Sequence, residues 1–186
     1  MDELFEAFRA RAQAVSAEVH RFATKSEAVD FIAGQLSPLA GVPLVRPSAV
    51  WAAGSFLTPA ERERLRAAAP GLSFEVTREA AASAAVGVTE VEWAIAATGT
   101  LAGNFAPVER RLASTLPPVH IAVVATGAIQ PDMAAVFTRI HPNQCGYISM
   151  ITGPSRTADI ERVLTIGVHG PKRLLVVFVD EPGRIS

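Results

Sequence analysis

The apolar run Ile148-Ser149-Met150-Ile151-Thr152 empties into Gly153-Pro154-Ser155-Arg156-Thr157, followed by Ala158-Asp159-Ile160-Glu161. Ile160, Val163 and Leu164 follow at helical spacing, so this stretch predicts a strand, a turn and a helix. Backbone N–H groups at the start of such a helix, and its dipole, favour a negative group in the turn. Arg156 would add a forked contact to a carboxylate or phosphate. A plainer reading makes Ser155 or Thr157 the helix cap, with Asp159 and Glu161 occupying the first turn. Close behind, His169 stands in Gly167-Val168-His169-Gly170-Pro171. An imidazole changes charge near neutral pH and the glycines permit close approach, which suits a general acid or base. A tight turn explains the same residues without catalysis. Ser155 also invites comparison with a hydrolase nucleophile elbow, but this turn lacks the second glycine of G-x-S-x-G.

A second compact turn, Thr98-Gly99-Thr100, offers two hydroxyls beside a residue free to take left-handed backbone angles, although a structural hairpin would look alike. Of the pair Arg110 and Arg111, one can reach inward while the other stays solvated. His120 reads as a hydrogen-bonded residue at a strand start. Cys145, the single cysteine, excludes a disulfide framework or a cysteine-ligated zinc or iron-sulfur centre built from these residues alone. Walker A, G-x-G-x-x-G, H-E-x-x-H and C-x-x-C patterns are missing, so no metal ligand set is assigned.

These residues need a frame. Leu4, Phe5, Phe8, Ala12, Val15 and Val19 form the stripe of an amphipathic helix starting near Asp2, able to cover the main domain or a partner subunit. Ser26 is placed to cap a second helix burying Val29, Ile32 and Leu36. Residues 1–40 thus read as a helical extension and 41–186 as the α/β domain. Within it, 49–53, 72–76, 119–125, 147–152 and 174–179 read as strands, and 93–103 as one or two short ones. Thr58-Pro59-Ala60-Glu61 is a capping box with proline at the first helical position, and 77–85 and 131–140 read as further helices. Strands alternating with helices argue for a mostly parallel sheet covered on both faces. The candidate site residues are expected to converge at the carboxyl ends of those strands.

Composition agrees with one globular unit: 186 residues, 49% hydrophobic and 19% charged, with a formal net charge of −1. That balance gives no global pull toward nucleic acid or an anionic membrane. Apolar runs are strand-sized, and the first twenty residues lack a signal-like apolar core, so the expected compartment is the cytoplasm.

Taken in order, Gly87-Val88-Thr89, Ala96-Ala97-Thr98-Gly99-Thr100, Arg111-Leu112-Ala113-Ser114, Leu116-Pro117-Pro118-Val119-His120-Ile121, the run 148–161 and Gly167-Val168-His169-Gly170-Pro171 resemble the lactate-utilization protein C family, or LUD domain. The resemblance spans about residues 87–171, and its last two segments are the specific ones. It implies a three-layer, Rossmann-like α/β sandwich related to ribose-5-phosphate isomerase, CoA transferases and formyltetrahydrofolate cyclo-ligase. It also implies a part in bacterial oxidation of L-lactate to pyruvate, with iron-sulfur clusters in partner subunits and no cofactor in this chain. Family members commonly carry an acid just before Thr-Gly-Thr, whereas Ala97 stands here with Glu90 and Glu92 nearby.

Three readings follow. In the first, a lactate-utilization component binds a small carboxylate through Thr98, Gly99, Thr100, Arg111, Gly153, Ser155, Arg156 and Thr157, with His169, Asp159 and Glu161 as acid–base candidates. The second is a stand-alone enzyme acting on a phosphorylated sugar or folate, by analogy of fold. The third is an assembly subunit that docks through its N-terminal stripe.

Overall fold

The computed structural model describes residues 1–36, 49–52, 54–140, 143, 145–158, 164–166 and 169–181. Along the chain run α1 (Asp2–Ala14), β1 (Glu18–Phe22), α2 (Lys25–Leu36), β2 (Ala49–Ala52), α3 (Pro59–Ala68), β3 (Leu72–Ser73), α4 (Arg78–Ser83), β4 (Val86–Glu90), β5 (Trp93–Ile95) and β6 (Thr100–Asn104). Then come α5 (Val108–Thr115), β7 (Val119–Ala125), β8 (Ile129–Gln130), α6 (Met133–Phe137), β9 (Ile148–Ile151), β10 (Arg156–Ala158), β11 (Leu164–Ile166) and β12 (Arg173–Val179).

Six strands form one parallel sheet in the order β1-β12-β7-β4-β2-β3. Its central members β7 and β12 are nearly continuous aliphatic runs, as strands covered on both faces must be. Alternate side chains separate into two layers. Trp51, Val88, Ile121, Val123, Leu175 and Val177 pack with α2 and α3. Ala122, Val124, Val176 and Phe178 pack with α1, and Val50 and Ala52 with α4 and α5. A smaller mixed sheet, β8-β5-β6-β9, joins the α1 side, and α6 covers its far face through Val136. The result is the expected α/β sandwich with a parallel central sheet.

Local chemistry sets the helix starts. Thr58 and Glu61 exchange side-chain and backbone hydrogen bonds at α3, with Pro59 at its first position. At α2 the same exchange is made by Thr24 and Glu27, so Thr24 is the cap and the expected cap Ser26 lies inside the first turn.

Three expectations need correction. The first helix stops at Ala14, where Ser16 turns the chain with φ 68°, and Val19 belongs to strand β1 beside β12. The run 147–152 supplies β9 of the smaller sheet, not a strand of the parallel one. The chain after Gly153 is not a helix: β10 pairs antiparallel with β11, setting Arg156 opposite Ile166 and Leu164 opposite Ala158. The spacing of Ile160, Val163 and Leu164 mimics a helical stripe, whereas Arg156–Ala158 and Leu164–Ile166 satisfy their backbone groups across a strand pair.

The α1 stripe covers the chain's own sheet. Phe5 and Phe8 meet Phe178 of β12 edge to face, with centroids 5.3 and 5.0 Å apart. Replacing the fully buried Phe8 by alanine is expected to cost about 3–5 kcal/mol, lowering Tm by roughly 6–20 °C for a chain of this size. Unchanged calorimetric melting of Phe8→Ala would show that α1 is an appendage.

Candidate functional sites at the two sheet edges

Among the described residues, two hollows lie at opposite ends of the parallel strands and differ in chemistry. The first is an open cleft of about 460 Å³ bounded by β9, the 152–156 turn, Gly170, Pro171 and the end of α5 at Ser114 and Thr115. Ser155 N donates to the Pro171 carbonyl over 2.9 Å, which ties the turn to the chain just before β12. Arg156 donates from Nη2 to Ser16 Oγ over 2.9 Å, just before β1. Ser114 and Thr115 in turn precede β7. The cleft therefore lies at the amino ends of β1, β7 and β12, and the expectation of a site at the carboxyl ends is overturned. The cause is the course of β9, which pairs antiparallel with β6 in the smaller sheet and delivers the turn to the chain just before β12. Among the described residues, no helix N-terminus enters this cleft.

Ser155, Arg156 and His169 meet there with Gly153 and the Thr152 hydroxyl. Its described lining holds the Arg156 guanidinium, the His169 imidazole and hydroxyls, and no carboxylate. Asp159 and Glu161 lie outside the described residues, and of Thr157 only its place opposite Thr165 in the hairpin is described.

The Thr98-Gly99-Thr100 turn reaches the cleft indirectly. Thr98 Oγ1 donates to Thr100 Oγ1 over 2.7 Å, and Thr100 Oγ1 bonds Thr152 Oγ1 over 2.7 Å. Gly99 (φ 66°) and Gly153 (φ 71°) share a further task. A Cβ on Gly99 would stand 2.4 Å from the Ala12 nitrogen, and one on Gly153 2.7 Å from the Val15 oxygen. Both glycines thus seat the end of α1, where only a bare left-handed residue fits. Arg111 is elsewhere: its Nη1 donates to the carbonyls of Phe105 and Ala106 over 2.6 and 2.7 Å, and its guanidinium lies over Tyr147.

The second hollow, about 330 Å³, sits at the carboxyl ends of β2 and β4 and was not foreseen. The chain leaves β2 toward β3 on one side and leaves β4 toward β7 on the other, so this is the point where strand order reverses, the usual ligand crevice of open α/β sheets. Glu90 closes β4 and is 3% exposed. Its carboxylate accepts from Gly54 N over 2.7 Å and Phe56 N over 3.0 Å. Burial pushes this carboxyl above its usual range, opposed by those N–H groups and by Arg110. Arg110 is the inward member of the arginine pair. It pairs with Glu92 (Nη1 to Oε1 2.6 Å, Nη2 to Oε2 3.1 Å) and donates to the carbonyls of Asn104 and Glu90. The clue was Glu90 closing the alternating Val86-Gly87-Val88-Thr89, with Glu92 two residues on.

A match to the LUD domain model runs over residues 5–179. The chain belongs to the LUD domain family. It is 34% identical over 113 residues to lactate utilization protein C of an Exiguobacterium species, covering 58% of this chain and 49% of that protein. Against lactate utilization protein C of Bacillus subtilis it is 35% identical over 107 residues, covering 54% and 45%. The chain thus matches only about half the length of these relatives. The fold is similar to the crystal structure of a DUF162 family protein from Deinococcus radiodurans, with a TM-score of 0.65 at 20% identity over 96% of this chain and 97% of that one. Among the described residues, no cluster of His, Cys, Asp and Glu is placed to hold a metal ion, and no helix is long and apolar enough to cross a membrane.

His120 lies in neither hollow. Its Nε2 is 2.8 Å from Thr89 Oγ1 in the core, and burial holds the imidazole down at about 3. The unfolded chain takes up this proton near pH 6.5 and the folded one does not. The resulting stability is therefore fully present above that pH and lost as pH falls toward 3, by up to about 1.4 kcal/mol per pH unit. Between pH 7 and pH 5, the unfolding free energy of the native protein should fall by about 2 kcal/mol more than that of His120→Gln. Parallel denaturant-derived pH profiles for the two proteins would contradict the buried neutral imidazole.

Proposed function

We propose that this LUD domain serves in the utilization of L-lactate, holding the small hydroxy acid or its keto product in the amino-edge cleft. The observation that carries this reading is the charge of that cleft: Arg156 and His169 stand among the hydroxyls of Ser114, Thr115, Thr152 and Ser155 with no described carboxylate in its walls. A 2-hydroxy acid presents a carboxylate to a guanidinium and a hydroxyl to serine or threonine, and charge-assisted hydrogen bonds of that kind are the strong ones. The kinship to lactate utilization protein C over half the chain supports the same substrate class.

Within this reading Arg156 anchors the carboxylate. Ser16 Oγ holds the guanidinium from the α1 side, so the arginine is poised before a ligand arrives. His169 is exposed at the cleft and serves as the acid–base group for the hydroxyl proton. Oxidation of lactate to pyruvate releases two electrons and two protons, and these residues hold a single cysteine. One cysteine cannot ligate an iron-sulfur cluster; in this reading the two electrons and the C2 proton pass to a redox partner, a role for iron-sulfur subunits of the same system, and Asp159 and Glu161 are candidates for assisting His169. The protein works in the cytoplasm.

Isothermal titration with L-lactate, pyruvate and inorganic phosphate tests the assignment. The carboxylates should bind, and Arg156→Ala should weaken them by about tenfold or more, as expected for losing a charge-assisted contact. Binding of phosphate alone would move the protein to the phosphorylated-substrate reading. Lactate binding untouched by Arg156→Ala would remove the cleft from the account.

A further inference from the structure

We propose that the carboxyl-edge cavity between β2 and β4 is a second binding site, for a small primary ammonium ion carrying an apolar chain. Its position is the strand-order reversal of the parallel sheet, where loops diverge and leave a crevice. Its volume of about 330 Å³ suits a small molecule. Ala52, Phe74, Val76 and Pro107 make the apolar wall, and Glu90, Glu109 and Arg110 supply the polar groups.

Charge and occupancy decide the ligand class. Both terminal nitrogens of Arg110 are taken up by Glu92 and by the carbonyls of Asn104 and Glu90, so most of its donors and its charge are already met within the protein. A ligand carboxylate would instead be desolvated beside Glu90 and Glu109. Glu90 is held in place by the N–H groups of Gly54 and Phe56, so an incoming donor meets a fixed acceptor at little ordering cost. Glu109, in the first turn of α5, is exposed and free to close over a cation. Arg62 and Arg66 lie against the Phe74 ring but do not line the cavity. An ammonium group can donate to both carboxylates while its chain covers Phe74 and Val76, whereas an alcohol of the same length donates once and without charge.

Three four-carbon probes isolate the charge: butylammonium, 1-butanol and butyrate, each titrated into the labelled full chain at neutral pH while the backbone amides are followed by NMR. Butylammonium should shift Gly54, Phe56 and Phe74, butanol less, and butyrate not at all. Glu109→Gln, a surface change that leaves the fold intact, should weaken butylammonium about threefold to fivefold. Butyrate shifting those amides as strongly as butylammonium, or no probe shifting them, would overturn the proposal. Neither result bears on Arg156 or the amino-edge cleft, so this site and the lactate reading stand or fall separately.

Discussion

The half-buried Arg110–Glu92 pair is where the two sheets of this protein are joined. From α5, the Arg110 side chain reaches the Glu92 carboxylate, the last carbonyl of β4 and the carbonyl of Asn104 that closes β6, while its guanidinium lies over Phe105. Glu92 in turn accepts from Asn104 N over 3.1 Å. One arginine thereby satisfies carbonyls from both sheets at the point where the parallel one reverses its strand order. Such a pair is held less by its own attraction than by what its loss would leave behind, an uncompensated charge in a poorly hydrated place. That obligation fixes the approach of α5 to β4, and with it the wall of the carboxyl-edge cavity.

The amino edge is organised by backbone shape instead. Ser16, Gly99 and Gly153 all take left-handed angles, and the two glycines press against the last turn of α1 and the residues after it. Packing of Phe5 and Phe8 on Phe178 holds the helix down, and the glycine turns hold its end in place. Arg156 then finds Ser16 within hydrogen-bond reach. The N-terminal helix is thus part of the cleft's construction: its packing positions the arginine on which the lactate reading relies. The two edges end with complementary electrostatics, cationic at the amino edge and acidic at the carboxyl edge.

Much of this was legible in the residues themselves. Continuous aliphatic runs announced β7 and β12, and Thr58-Pro59-Ala60-Glu61 announced α3, because both signals are local. The neighbourhood of Ser155, Arg156 and His169 was also legible, since a short chain distance brings them together. Which edge of the sheet they occupy was not, because that depends on strand order and on the course of β9 in the smaller sheet. β1 escaped notice because Glu18, His20 and Arg21 dilute its pattern at the sheet's margin. The meeting of Glu90 with Arg110 escaped for a different reason: twenty residues separate them, and only the β4-to-α5 path through the smaller sheet brings them to one cavity.

The proposed lactate site requires an anion to choose the amino edge. Transferred cross-relaxation or intermolecular NOE measurements from the methyl group of L-lactate to the protein locate the bound molecule directly. Contacts to Thr152, Ser155 and Gly170 are expected, and none to Phe74 or Val76. Contacts to Phe74 and Val76 instead would place the acid at the carboxyl edge and contradict the proposed site.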